Sequence, residues 1–155
     1  MLGSGISGIL HIQLARALGA GRIFATDPHP GRLEKAKELG ADEIIGSEED
    51  VPARIRRANS GRLAEQVFVC TGAMPAVRQA LSCVDRGGTI LFFAPLPPGV
   101  ALELPMYDLW HDGIRLVHSY AGPPAEMLAA LDLIAARRVN VAAMITHRLP
   151  LSAAQ

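Results

Sequence analysis

Residues 3–27, GSGISGILHIQLARALGAGRIFATD, decide how this chain is read. Gly3, Gly5 and Gly8 form a GxGxxG cluster that runs directly into apolar residues recurring every four positions, Ile6, Leu10, Leu14 and Leu18, flanked by Ile9 and Ala17. That period predicts an amphipathic helix over 6–18 packing that stripe on a sheet, with Gly19 as its C-terminal cap. Arg22–Asp27 then reads as a short buried strand ending in an acid. A glycine triplet alone is weak evidence, since glycines gather at any tight turn. Here the loop opens a helix, whose free N–H groups and positive end favour an anion. Gly5 removes a Cβ that would hold a diphosphate away, and Gly8 allows close packing of helix on sheet. Asp27 lies nineteen residues beyond Gly8, where a carboxylate can take both hydroxyls of an adenosine ribose. Together these features predict a dinucleotide site.

Asp27 also bears on which dinucleotide. A 2′-phosphate about 4 Å from its carboxylate would cost about 4 kcal/mol at an effective dielectric near 20. Arg32 is close along the chain, and is expected either to lie over the adenine or to pair with Asp27. NAD is therefore expected rather than NADP. Other phosphate or nucleophile motifs fail on single residues. Ile9-Leu10 stands where a phosphate loop needs Lys-Ser/Thr, and Ile9 where a nucleophile elbow needs Gly. A methyltransferase could use a similar loop and stays open as an alternative.

Working outward, β-rich and helical pieces alternate: helix 32–39, strand 42–45, helix 52–58, strand 66–70, helix 75–84, strand 89–94, strand 115–120 and helix 124–137. Gly87-Gly88 punctuates the chain, Pro95–Gly99 is loop, and Val139–Pro150 is a last extended piece. Helix 124–137 carries an apolar stripe at Met127, Leu131 and Ile134. This order predicts an α/β fold, a Rossmann-type doubly wound parallel sheet, in one domain over 1–155.

The chain has 155 residues, is 50% apolar and balances 15 basic against 15 acidic side chains. Zero net charge argues against nucleic-acid and membrane-surface partners. No apolar stretch approaches the ~18 residues of a membrane span, and no leader pattern opens the chain. Cys70 and Cys83 make neither a CxxC motif nor a disulfide framework, so a reduced, cytoplasmic protein is expected. The five histidines, His11 among them, lack metal-ligand spacing and read as surface or strand-end residues. Arg54, Arg56, Arg57 and Arg62 read as a solvated helix face.

The chain resembles the cofactor-binding domain of the medium-chain, zinc-dependent alcohol dehydrogenases, on their sorbitol and threonine dehydrogenase side. After 3–27, the stretches that carry the likeness are RLEKAKELGAD (32–42), VFVCTGA (67–73), DRGGTILFFA (85–94), RLVHSYAGPPAEM (115–127) and ITHRLPL (145–151), in family order. The resemblance implies that Gly3, Gly5, Ile6, Ser7 and Gly8 line the diphosphate of NAD, and that Asp27 and Arg32 meet the adenosine end. Cys70 and Thr71 would border the adenine and its ribose, and Phe93, Ala94 and Ser119 the nicotinamide. It implies hydride exchange with a secondary alcohol or polyol, and a homo-oligomer joined through the sheet edge near Trp110 and His111. Only Met1-Leu2 precede Gly3, where the family has a full central strand. The expectation is a sheet with its first strand largely missing and two unpaired edges, in a chain that is marginally stable, self-associates or reorganises around the gap. Zinc and the catalytic residues would belong to a catalytic domain outside this chain. A stand-alone, non-catalytic NAD-binding or pairing module is the competing reading.

Overall fold

The computed structural model describes residues 1–153; Ala154 and Gln155, the end of the domain expected over 1–155, lie outside the described residues. Helix α1 (Ile6–Ala17) is followed by β1 (Phe24–Asp27), α2 (Pro30–Glu38), β2 (Glu43–Gly46), α3 (Val51–Ala58) and β3 (Ala64–Val69). Then come α4 (Met74–Cys83), β4 (Val84–Phe92), α5 (Met106–His111), β5 (Arg115–His118) and α6 (Pro124–Ala135). α1 ends as Gly19 predicts. Gly19 takes φ +92°, its N–H donates to Arg16 O, and Ala20 N–H donates to Ala15 O, which is the paired bonding of a Schellman cap.

Every strand pair is parallel: β1 with β2, β3 with β4, and β4 with β5. The two groups of strands are joined by a single residue. Leu2 bridges β1 at Thr26 and β3 at Val69. Around it Leu2 N–H donates to Phe68 O (2.8 Å), Cys70 N–H to Leu2 O (2.8 Å), Gly3 N–H to Thr26 O (3.0 Å) and Thr26 N–H to Met1 O (2.9 Å). The order β2-β1-Leu2-β3-β4-β5 is thus a doubly wound sheet whose central strand is one residue of ladder. The expected pair of unpaired edges is confined to the end of β1 and β3 that Met1 and Leu2 do not reach. There a cavity of about 560 Å³ opens between Arg22–Phe24 on one side and Ala64–Phe68 on the other.

Helices cover both faces. Ile12 of α1 and Ala36 of α2 pack on Ile23 and Ala25. Val51 and Ile55 of α3, and Val77, Ala80 and Cys83 of α4, pack with Leu2, Phe24, Ile45, Val67, Val69 and Ile90. Phe24 and Ala25 point to opposite faces, as successive strand residues must. Asp50 caps α3 by accepting from Ala53 N–H, a contact of about 1 kcal/mol.

Several expectations need correction. The face of α1 turned to the protein is Gly8, Ile9, Ile12 and Gln13, whereas Ile6 and Leu18 are exposed and Leu10 is only partly covered. The helix is apolar nearly all round, so its period could not choose a face. Close approach at Gly8 does. Gly87-Gly88 do not break the chain, for β4 runs through them with a register shift opposite Ala64–Gln66. The stretch after Pro95–Gly99 contains α5, and the extended piece 139–150 contains a 3₁₀ turn at Ala142–Met144. None of the stripe of α6 is buried. No described helix is long and apolar enough to cross a membrane.

Candidate functional site

The predicted residues gather at the carboxyl ends of the parallel strands: the glycine loop after Leu2, Asp27 ending β1, Cys70-Thr71 after β3, Phe93-Ala94 after β4 and Ser119 after β5. That rim, where chain crossovers diverge to the two faces, is where open α/β sheets bind ligands.

The three glycines have three separate reasons. Gly3 takes φ +88°, and a Cβ there would lie 3.0 Å from Thr71 Cβ. A Cβ on Gly8 would stand 1.9 Å from Gly3 O, so α1 presses on the loop backbone itself. A Cβ on Gly5 would meet nothing within 4 Å, which leaves its approach open to a ligand. Gly5 is the N-cap of α1, no side chain caps that end, and the first helical N–H bond runs from Ile9 to Gly5 O. The N–H groups of Ile6, Ser7 and Gly8 are therefore left to an external acceptor.

Asp27 is 3% exposed, and its carboxylate is already engaged within the chain. Its carboxylate accepts from Ser4 N–H (2.9 Å) and His29 N–H (2.9 Å), and Arg32 Nη1 stands 3.7 Å away. Of the two places expected for Arg32, it takes the pairing with Asp27. Ser4, fully buried, adds a hydroxyl bond to Thr26 O at 3.1 Å. The acid and the glycine loop are thus one hydrogen-bonded unit. Ser4 escaped the sequence reading because a serine between glycines looks like turn filler.

His11 escaped it too. It lies one turn beyond Ser7, with Nδ1 2.8 Å from Ser7 O, and its ring meets Phe93 edge-on at 4.5 Å between centroids. The i, i+4 spacing from the loop was the available signal. Cys70 Sγ lies 3.6 Å from His11 Nδ1. Burial pushes the Cys70 thiol up to about 11, with the Met1 ammonium acting in the other direction. At neutral pH it is a thiol and a poor nucleophile. Thr71 Oγ1 accepts from Ala73 N–H at 3.3 Å. Phe93 and Ala94 N–H both donate to Val69 O, and Ser119 N–H to Phe92 O.

Residues 7–136 match the sequence profile of the family described as Zinc-binding dehydrogenase. The chain belongs to the zinc-binding dehydrogenase family. It is 32% identical over 162 aligned residues to sorbitol dehydrogenase of Pongo abelii and 30% identical to that of Homo sapiens. Both alignments cover 98% of this chain and 43% of the relative, so the chain spans less than half the length of these dehydrogenases. Among solved structures, alcohol dehydrogenase from Thermus sp. ATN1 superposes with a TM-score of 0.86 at 28% identity, over 98% of this chain and 44% of that one. A zinc-binding dehydrogenase of Sinorhizobium meliloti 1021 bound to NADP does so at 0.85 and 28%, over 93% and 43%. Family membership replaces the methyltransferase alternative. The family's metal has no fit here: among the described residues no three His, Cys, Asp or Glu side chains gather to hold an ion. Arg54 pairs with Glu49 and Arg62 with Glu65, in keeping with a solvated face.

Proposed function

We propose that residues 1–155 form the NAD-binding part of a dehydrogenase that interconverts a secondary alcohol or polyol and its carbonyl compound. The observation that carries this reading is the buried Asp27 carboxylate, tied to Ser4 N–H beside a helix end whose N–H groups have no internal partner. The residues present fit a dinucleotide. Ile6, Ser7 and Gly8 N–H would donate to the diphosphate, with Gly3 and Gly5 giving close approach. Asp27 would accept from the adenosine ribose with the lone pairs that Ser4 and His29 leave free, and Arg32 would flank it. Cys70 and Thr71 would border the adenine side. The N–H groups of Phe93, Ala94 and Ser119 are already engaged, so a carboxamide would be held by carbonyl oxygens there. Hydride acceptance is the cofactor's chemistry; this chain binds, orients and screens. No catalytic residue and no zinc ligand is assigned to these residues.

The sorbitol dehydrogenase relatives support a polyol or alcohol as the small-molecule partner. A homo-oligomer through the exposed edge strand β5 fits the exposed Tyr107 and Trp110 beside it. The free thiols of Cys70 and Cys83 suit the cytoplasm.

Fluorescence titration with NADH and NADPH tests the reading. NADH is expected to bind at least tenfold more tightly, because a 2′-phosphate would sit against Asp27. Tight NADPH binding without NADH binding would reject that role. Gly8→Ala should abolish NADH binding while far-UV circular dichroism stays native, since its Cβ would collide with Gly3 O.

A further inference from the structure

We propose that Cys70, His11 and Met1 form a binding site for a soft monovalent d¹⁰ cation of the copper(I) or silver(I) type. The three come from separate parts of the chain and meet under the glycine loop. Cys70 Sγ is 3.5 Å from Met1 Sδ and 3.6 Å from His11 Nδ1. Metal–sulfur bonds of about 2.3 Å place tetrahedral donors roughly 3.7 Å apart, so the two separations from Cys70 Sγ lie within a few tenths of an ångström of that spacing. Thiolate, thioether and imidazole together are a soft donor set, which selects copper(I)-like ions over hard cations.

Charge decides the valence. The rings of Phe68 and Phe93 lie beside that of His11, at 5.6 and 4.5 Å between centroids. No carboxylate contacts the Cys70 sulfur among the described residues. A monovalent ion replaces the thiol proton one for one. The S–H bond breaks, an S–metal bond forms, the proton goes to solvent and no electron is transferred. The half-buried cluster keeps its charge, whereas a divalent ion would leave an added positive charge without a partner. The groups that bear on the thiol are His11 from α1 and the Met1 amine, whose pKa burial lowers to about 6. Burial raises the thiol's affinity for its proton, so the ion must displace it, as soft d¹⁰ ions do from thiols. His11 Nδ1 must give up its contact with Ser7 O and carry its proton on Nε2 instead. Cys83, 1% exposed and packed among Val69 and Ala80, has no comparable set.

The test is calorimetric titration of the full chain with silver(I) nitrate in chloride-free buffers of different ionisation enthalpy, with ¹⁵N spectra of the histidines. One equivalent should bind with release of about one proton, and the His11 ring nitrogens should shift. Cys70→Ser should weaken binding at least 100-fold, His11→Gln about tenfold, and Cys83→Ser not at all. Retained affinity in Cys70→Ser, or equal loss in Cys83→Ser, would overturn the site. So would an unshifted His11 together with full affinity in His11→Gln, which is binding by one thiol alone. Should Cys70→Ser fail to fold, His11→Gln and the ring shifts decide.

Discussion

The residues up to Phe92 and those after it are alike in sequence and opposite in structure. Both alternate strand and helix, and both carry apolar residues at regular spacing. In the first region those side chains close into two cores, one on each face of the sheet, with Leu2, Ile12, Ile45, Val69 and Ile90 almost wholly enclosed. In the second, Met127, Leu128 and Leu131 of α6 are 61–64% exposed, Trp110 of α5 is 76% exposed, and of the apolar residues only Leu109 and Val139 are buried among those described. The segment from α6 onward is tied to α1 by hydrogen bonds from Arg138 to Ala17 O and from Asn140 N–H to Gln13 Oε1. An apolar stripe says that a face is poorly solvated. It does not say that a partner lies within the same stretch of chain.

Four substitutions, read by chemical denaturation, put this contrast to the test. Leu2→Ala strikes the residue that joins the two halves of the sheet, and should cost about 2–5 kcal/mol. A loss below about 0.5 kcal/mol would mean that the seam at Leu2 holds nothing together. Ser4→Ala removes a fully buried hydroxyl from Thr26 O, for about 1 kcal/mol and a weaker hold on NADH.

Asp42 offers a pH test in the same packed region. Burial works against its ionisation, but the Ile23 N–H and Arg16 outweigh it and hold the carboxyl below its ordinary 3.8. A lowered folded pKa means stability that is complete above the unfolded value and lost as pH falls through the folded one. Asp42→Asn should therefore flatten the part of the stability profile below about pH 4 while leaving the rest nearly parallel to wild type. An unchanged acid limb would remove Asp42 from the account.

The smallest effect belongs to the second region. Leu131→Ser on the open face of α6 should shift stability by no more than about 0.5 kcal/mol. A cost above about 2 kcal/mol would show that this face is covered in solution, and the contrast between the regions would fail.

The glycine loop opening a helix and an acid ending the next strand were legible in residues 3–27, and the doubly wound order in the alternation of strands and helices beyond them, because each depends on local chemistry. Glycine where backbones touch, a free helix end and a carboxylate at a strand terminus carry their reasons within a few residues. The tertiary structure alone decided the rest. It chose Gly8, Ile9 and Ile12 over Ile6 and Leu10 as the packed face of α1, and it let one residue, Leu2, do the pairing of a central strand. It turned Asp27 and Ser4 into one unit, brought His11 and Cys70 together across 59 positions, and left the stripe of α6 open. The physical reason is that a side chain's environment comes from whichever segments fold against it, and those contacts are set by the whole chain.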